Sequence, residues 1–193
     1  MIRFAGIVLA AGQSSRMGTP KATLLVEGIP AAVRAATTLA EAGADPVSVV
    51  LGADREEIRK SLLDRVSIVV NTDWELGQFS SLQAGLRSVP AGLWVFVWPV
   101  DVFGVLTSTL EALIAGADET IDAAAPVFQS KRGHPVLLSP DFCRTLLGRD
   151  AKNSRLDHAL RDARVRLIDV NDPAVLSNIN TRQDLDRAKE HRP

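Results

Sequence analysis

The sequence predicts an α/β fold, a three-layer α/β/α sandwich around a Rossmann-like, mostly parallel sheet. Three observations predict it. Short strand-like segments alternate with longer helix-like segments along most of the chain, the rhythm of βαβ units. Several strand segments, residues 93–98 above all, are apolar throughout, as strands covered on both faces are. With 193 residues, 46% hydrophobic and 23% charged, the chain has the material for one ordinary domain, expected to span residues 1–193.

The elements follow in order. Residues 4–10 make a first strand. Residues 30–44 are Ala-rich and run to Gly43, a helix with a glycine stop. Residues 47–51 make a second strand. Asp54, with Glu57 three residues on, is expected to cap a helix to about residue 63 in an Asp variant of the capping box. A third strand at 66–70, a helix at 80–88 and a fourth strand at 93–98 come next. A helix at 107–115 is followed by strands at 123–128 and 135–139 around a turn at 130–133. Helices near 141–147 and 155–163, a late strand at 165–170 and a final helix at 181–190 complete the chain. There is no internal repeat, low-complexity tract or interdomain linker. Ligands of such sheets bind beyond the carboxyl ends of the strands. The loop after the first strand and the residues after the fourth are therefore expected on one rim.

Composition excludes several classes. A net charge of −1 carries no basic excess for a duplex nucleic-acid partner. The one cysteine, Cys143, rules out an internal disulfide framework and fits a reducing compartment. No apolar run approaches the ~20 residues of a membrane span, and the N-terminus enters a strand without a signal-peptide pattern. The expected location is cytoplasmic.

Residues 8–21, VLAAGQSSRMGTPK, are the most informative stretch. A strand gives way to a polar, Gly-containing loop with two cations, Arg16 and Lys21. Backbone N–H groups with fixed positive charges beside them suit a polyphosphate. A Walker A loop is excluded, because Gly18 is followed by Thr19 and Pro20 rather than by Lys and Ser or Thr. The dinucleotide fingerprint is excluded too, because no glycine stands two residues after Gly12.

Leu9-Ala10-Ala11-Gly12, Ser14, Arg16-Met17-Gly18 and Pro20-Lys21 resemble the N-terminal motif of the MobA/MocA-like nucleotidyltransferases. That group attaches a nucleotide to the terminal phosphate of molybdopterin, within a superfamily that shares the nucleotide-diphospho-sugar-transferase fold. The resemblance implies that Arg16 contacts the β/γ-phosphates and Lys21 the α-phosphate region, with backbone N–H donors from Ala11 to Ser15; Leu9, Ala10, Ala11, Gly12, Ser14 and Ser15 are the nucleotide-binding positions of the loop. It also implies a Mg²⁺ ion. Asp101, at the carboxyl end of the fourth strand, is the hard oxygen ligand, and Asn180 in Asn178-Ile179-Asn180-Thr181 a neutral second one. Both asparagines could instead cap the last helix. In the group this Asp is usually followed by an apolar residue and Pro; here the run is Asp101-Val102-Phe103, with Pro99 upstream.

Two shorter blocks extend the resemblance. In residues 71–86, NTDWELGQFSSLQAGL, Gly77 allows close approach of a base, while Ser80 and Ser81 donate at a helix N-terminus; Trp74 reads as core. Gly133-His134-Pro135-Val136 falls where relatives place the acceptor, so Arg132 and His134 are candidate acceptor contacts, in competition with a solvated hairpin tip. His134 has no Cys or His at metal-ligand spacing, which excludes zinc.

The implied function is a Mg²⁺-dependent transfer of CMP or GMP from the triphosphate to molybdopterin. The implied partners are a nucleoside triphosphate, a phosphorylated small-molecule acceptor and proteins of molybdoenzyme maturation, with no nucleic acid or membrane. Two alternatives remain open: transfer to a sugar or polyol phosphate, and a catalytically degenerate accessory protein that binds nucleotide or molybdenum cofactor.

Overall fold

Apolar residues point to alternate sides of the central strands, and this alternation builds the layers. The computed structural model describes residues 2–13, 18–26, 28–62, 66–179 and 184. In chain order these contain β1 (Phe4–Leu9), a hairpin of β2 (Leu25–Val26) and β3 (Ile29–Pro30), α1 (Ala31–Glu41), β4 (Val47–Leu51) and α2 (Arg55–Leu62). Then come β5 (Ser67–Val70), α3 (Gln78–Ser88), β6 (Trp94–Pro99), α4 (Thr107–Ala115), β7 (Ala123–Phe128) and β8 (Lys131–Arg132). The series ends with β9 (Val136–Leu138), α5 (Pro140–Leu147), α6 (Leu156–Arg161) and β10 (Val165–Asp169).

One face of β1 and β6 buries Phe4, Val8, Phe96 and Trp98 with Leu39 of α1 and Leu110 of α4. The other buries Ile7, Leu9, Val95 and Val97 with Leu82 of α3, Phe142 of α5 and Leu160 of α6. The sandwich expected from the sequence is therefore present. Both faces of β1 and β6 are covered, which is why these strands are apolar throughout.

The main sheet has the order β10-β7-β9-β6-β1-β4-β5, with β8 paired onto β7. Strands β6, β1, β4 and β5 are parallel, as are β7 and β10, while β9 runs antiparallel between β6 and β7. From β1 the chain moves outward through β4 and β5, then returns to β6 on the opposite side of β1. That reversal opens a crevice beyond the carboxyl ends of β1 and β6.

Local differences from the sequence reading have physical reasons. Asp54 takes a left-handed φ of 53° rather than the extended backbone of an N-cap, although its carbonyl accepts the first helical bond, from the Ile58 amide. Helix α3 starts two residues earlier than expected, because Gly77, at φ 105° and ψ −178°, turns the chain directly into Gln78. The β2–β3 hairpin and the 3₁₀ turns at Lys21–Thr23, Trp74–Leu76 and Pro173–Leu176 are too short for periodicity to reveal. The expected final helix at 181–190 lies outside the described residues, apart from position 184.

One buried polar side chain joins two helices of the same layer. The Gln83 amide of α3 donates to the carbonyls of Leu146, at 2.9 Å, and Arg149, at 2.8 Å. These belong to the last turn of α5 and the residues just after it, where carbonyls lack intrahelical partners. Gln83→Leu is expected to destabilise the fold by about 1–3 kcal/mol, the cost of stranding buried acceptors. Urea unfolding checks this, and nucleotide affinity should stay at the parent value.

Candidate active site

Three loops, those after β1, β5 and β6, meet at the crevice. After β1, the chain bonds sideways to both neighbouring strands: Ala10 donates to the Val50 carbonyl and Leu9 accepts from the Val100 amide, at 2.9 and 3.0 Å. The Ala11 carbonyl is taken by the Ala53 amide. Leu9, Ala10 and Ala11 are buried and line the crevice as a fixed floor, whereas Gly12 and Gln13 are exposed there. Pro20 then leads into a 3₁₀ turn that begins with Lys21.

Lys21 meets Asp101, eighty residues away in the chain. Its Nζ stands 3.4 Å from Asp101 Oδ2, and both side chains are less than a third exposed, 18% and 30%. Together with the loops after β1 and β5 they border a cavity of about 320 Å³. Trp74, Glu75, Gly77, Gln78 and Ser81 form its far wall. From β6, which Asp101 follows, to β5, which precedes that wall, is three strand intervals, roughly 14 Å.

The far wall is held from beneath. Asn71 Nδ2 donates to Ser80 Oγ and Ser81 Oγ at 2.9 and 3.0 Å, and Asn71 Oδ1 accepts from the Asp73 amide. Ser80 Oγ donates to the carbonyls of Asp73 and Gly77. Ser81 lines the cavity, but Ser80 is buried behind the wall and does not reach it. Its expected role as a donor to a ligand gives way to that of a bracket fixing the turn before α3. Trp74 both packs into the core and lines the cavity.

Asp101 is the described acid that fits a hard divalent cation. No group of three or more His, Cys, Asp or Glu stands together among the described residues. Ser14, Ser15 and Arg16, expected on the phosphate loop, and Asn180, the expected second ligand, lie outside the described residues.

A second cavity opens beside the first. Arg132, His134, Asp157, Asp169 and Asn178 line it. Asn178 is adjacent to Ile179, whose amide donates to the Asp101 carbonyl at 2.9 Å, so the two cavities flank Asp101. Arg132 Nη2 is 3.2 Å from Asp157 Oδ1. Lys131 does not line the cavity. With two carboxylates against one guanidinium, this is not the simple cationic pocket that the run from Gln129 to His134 suggests. The turn is tight: at Gly133 a Cβ would come within 2.4 Å of the Val175 carbonyl oxygen, which accounts for the glycine of this block.

His134 is half-buried, and burial pushes its pKa below the ordinary value of 6.5, against the raising influence of Asp157 and Asp101. It is therefore a neutral imidazole at pH 7. Its Nδ1 is buried without a hydrogen-bond partner among the described residues. Because the unfolded chain takes up this proton first, His134 lowers stability as pH falls below 6.5. Cys143, buried in α5 with its thiol pushed up to about 12, is chemically inert.

Sequence reasoning missed Glu75, Gln78, Asn71 and Gly52. A Cβ on Gly52 would meet Trp74 Cβ at 2.4 Å. Its position directly after an apolar strand was the available signal. Asp157 and Asp169 carried none.

Residues 6–167 match the family model of the MobA-like NTP transferase domain. A protein of Paenarthrobacter nicotinovorans named nicotine blue oxidoreductase is 30% identical, over 94% of each chain. A protein of Mycobacterium ulcerans named "Probable molybdenum cofactor guanylyltransferase" is 30% identical over 95% of this chain and 92% of its own length. Among solved structures, Rv0371c of Mycobacterium tuberculosis H37Rv superposes with a TM-score of 0.83 at 27% identity, covering 98% of both chains. No helix among the described residues is long and apolar enough to cross a membrane.

Proposed function

The chain belongs to the MobA-like NTP transferase family, and from that premise we propose that this nucleotidyltransferase moves NMP from CTP or GTP to the terminal phosphate of a molybdopterin-type acceptor in the cytoplasm. The observation that carries this reading is the convergence of Lys21 and Asp101, 3.4 Å apart, over a cavity floored by Leu9–Ala11. A lone structural ion pair would not need a nucleotide-length cleft between the β1, β5 and β6 loops.

In this reading the base lies against Trp74 and Gly77, with Ser81 donating nearby, and the triphosphate runs back toward Lys21. Arg16 and the backbone of Gly12, Ser14 and Ser15 hold the β/γ-phosphates. An acceptor phosphate oxygen attacks the α-phosphorus, the bond from that phosphorus to the α–β bridging oxygen breaks, and pyrophosphate leaves. Lys21 neutralises charge gathering at the α-phosphoryl group, a service that a preorganised cation performs without reorganising solvent. Asp101, with Asn180, would hold Mg²⁺, which when bound supplies a bridging positive charge to the phosphates. The acceptor's body occupies the second cavity against Arg132 and His134, which sets its phosphate beside Asp101.

Pyrophosphate release with CTP or GTP and molybdopterin tests the reading, with a sugar phosphate as rival acceptor. Absence of release with every pairing of triphosphate and acceptor overturns it. Because one relative of matching length is named an oxidoreductase, the assay includes a dye-reduction arm. Turnover there alone, with the triphosphate unbound, favours that second reading.

The acceptor side makes its own prediction. Arg132→Ala and His134→Ala are expected to raise the acceptor KM by about tenfold, the cost of one charged or buried hydrogen bond, with triphosphate affinity unchanged. Steady-state kinetics with each substrate varied in turn checks this. Unchanged acceptor KM in both variants returns the acceptor to another surface.

A further inference from the structure

The loop after β6 carries Asp101; besides its bonds to the strands, from the Val100 amide to Leu9 and from Trp98 Nε1 to the Val102 carbonyl, it is held by a distant strap, residues 172–179. At the near end, the Ile179 amide donates to the Asp101 carbonyl at 2.9 Å. In the middle, Ser177 Oγ lies 3.0 Å from the Phe103 carbonyl oxygen, 2.7 Å from that of Ala174 and 3.3 Å from the Phe103 amide nitrogen, which donates to it. At the far end, the buried Asp172 accepts from the Leu106 amide and Thr109 Oγ1 at 2.9 and 2.7 Å, and from the Ala174 amide. The Asp172 end anchors the strap to α4. Ser177 is the side chain that ties the strap to the loop nearest Asp101.

We propose that Ser177 is a positioning residue: without touching ligand, it sets where the Asp101 carboxylate stands over the cavity. The inference rests on the metal role proposed above for Asp101. A one-hydroxyl tether two residues along the chain acts through the short backbone between Asp101 and Phe103, so its loss lets the carboxylate wander while the floor of Leu9–Ala11 stays in place. Groups that orient a metal ligand from outside its coordination sphere typically affect affinity by about 10- to 100-fold.

Three variants are compared, Ser177→Ala, Ser177→Thr and Asp101→Asn. Mn²⁺ affinity is measured by electron paramagnetic resonance with a non-reactive α,β-methylene triphosphate in the cavity. Nucleotide affinity is measured separately in EDTA. Ser177→Ala is expected to weaken Mn²⁺ by about tenfold, to leave metal-free nucleotide affinity at the parent value, and to be restored by threonine, which keeps the hydroxyl. If the alanine variant does not fold, Ser177→Cys replaces it, keeping volume but donating only weakly. Parent-like Mn²⁺ affinity in folded Ser177→Ala, while Asp101→Asn is weakened, overturns the positioning role alone. Parent-like affinity in Asp101→Asn overturns the metal reading and the inference with it. Equal losses with and without metal, or failure of threonine to restore, also overturn it by pointing to general damage.

Discussion

Lys21→Ala is expected to lower the rate of nucleotidyl transfer by about 100- to 1,000-fold, the usual cost of removing one preorganised donor from developing charge. The melting temperature should move little. The pair with Asp101 is partly solvated, at 3.4 Å, and such pairs contribute about 1 kcal/mol or less. Arg16→Ala is expected to cost a similar factor, on the strength of its place in the motif. Initial rates of pyrophosphate release, read beside circular dichroism, decide the matter. A folded Lys21 variant that keeps about a third of the parent rate, where a loss on the scale of a missing donor was due, removes Lys21 from the chemistry.

The second large effect changes sign with metal. Asp101→Asn should weaken Mg²⁺-supported nucleotide binding by about a hundredfold, or roughly 3 kcal/mol. In EDTA the same variant should bind nucleotide more tightly than the parent. The parent must bring a polyphosphate up to a carboxylate, and like charges brought together cost several kcal/mol. The substitution also releases the Asp101 hold on Lys21. Asn178→Ala should show neither effect, since Asn178 lines the second cavity and brings no charge. Isothermal titration with and without Mg²⁺ reads both arms. A loss of equal size in EDTA would mean that Asp101 shapes the cavity rather than holding the ion.

The layers and the rim were legible in the sequence because they rest on long signals. Unbroken apolar strands such as β6, and helices such as α4 whose bounds match the expectation residue for residue, leave periodic marks. Lys21 stood out because it follows a strand in a polar loop, and the structure brings it to within 3.4 Å of Asp101. What escaped was short or non-local. Two-residue strands have no period. Ser80 and Ser81 are neighbours in sequence, yet only the turn of α3 decides that one faces the cavity and the other the Asn71 bracket. The pairing of Arg132 with Asp157, twenty-five residues on, is likewise invisible to local reasoning.

The antiparallel strand β9 has a consequence for how such a chain can change through time. Residues 4–101 contribute every described wall of the first cavity, and residues 127–178 every described wall of the second. Within the sheet these halves meet at a ladder three residues long, Val95–Val97 against Val136–Leu138. Short apolar ladders of valine and leucine are forgiving of exchange, since volume and pattern matter more there than identity. In the proposed reading, a crossover between β6 and α4 hands a new recipient pocket to an inherited nucleotide half, provided the incoming half keeps the strap, residues 172–179, that bonds to Asp101 and Phe103. What is nucleotidylated can then drift or be grafted only together with that strap.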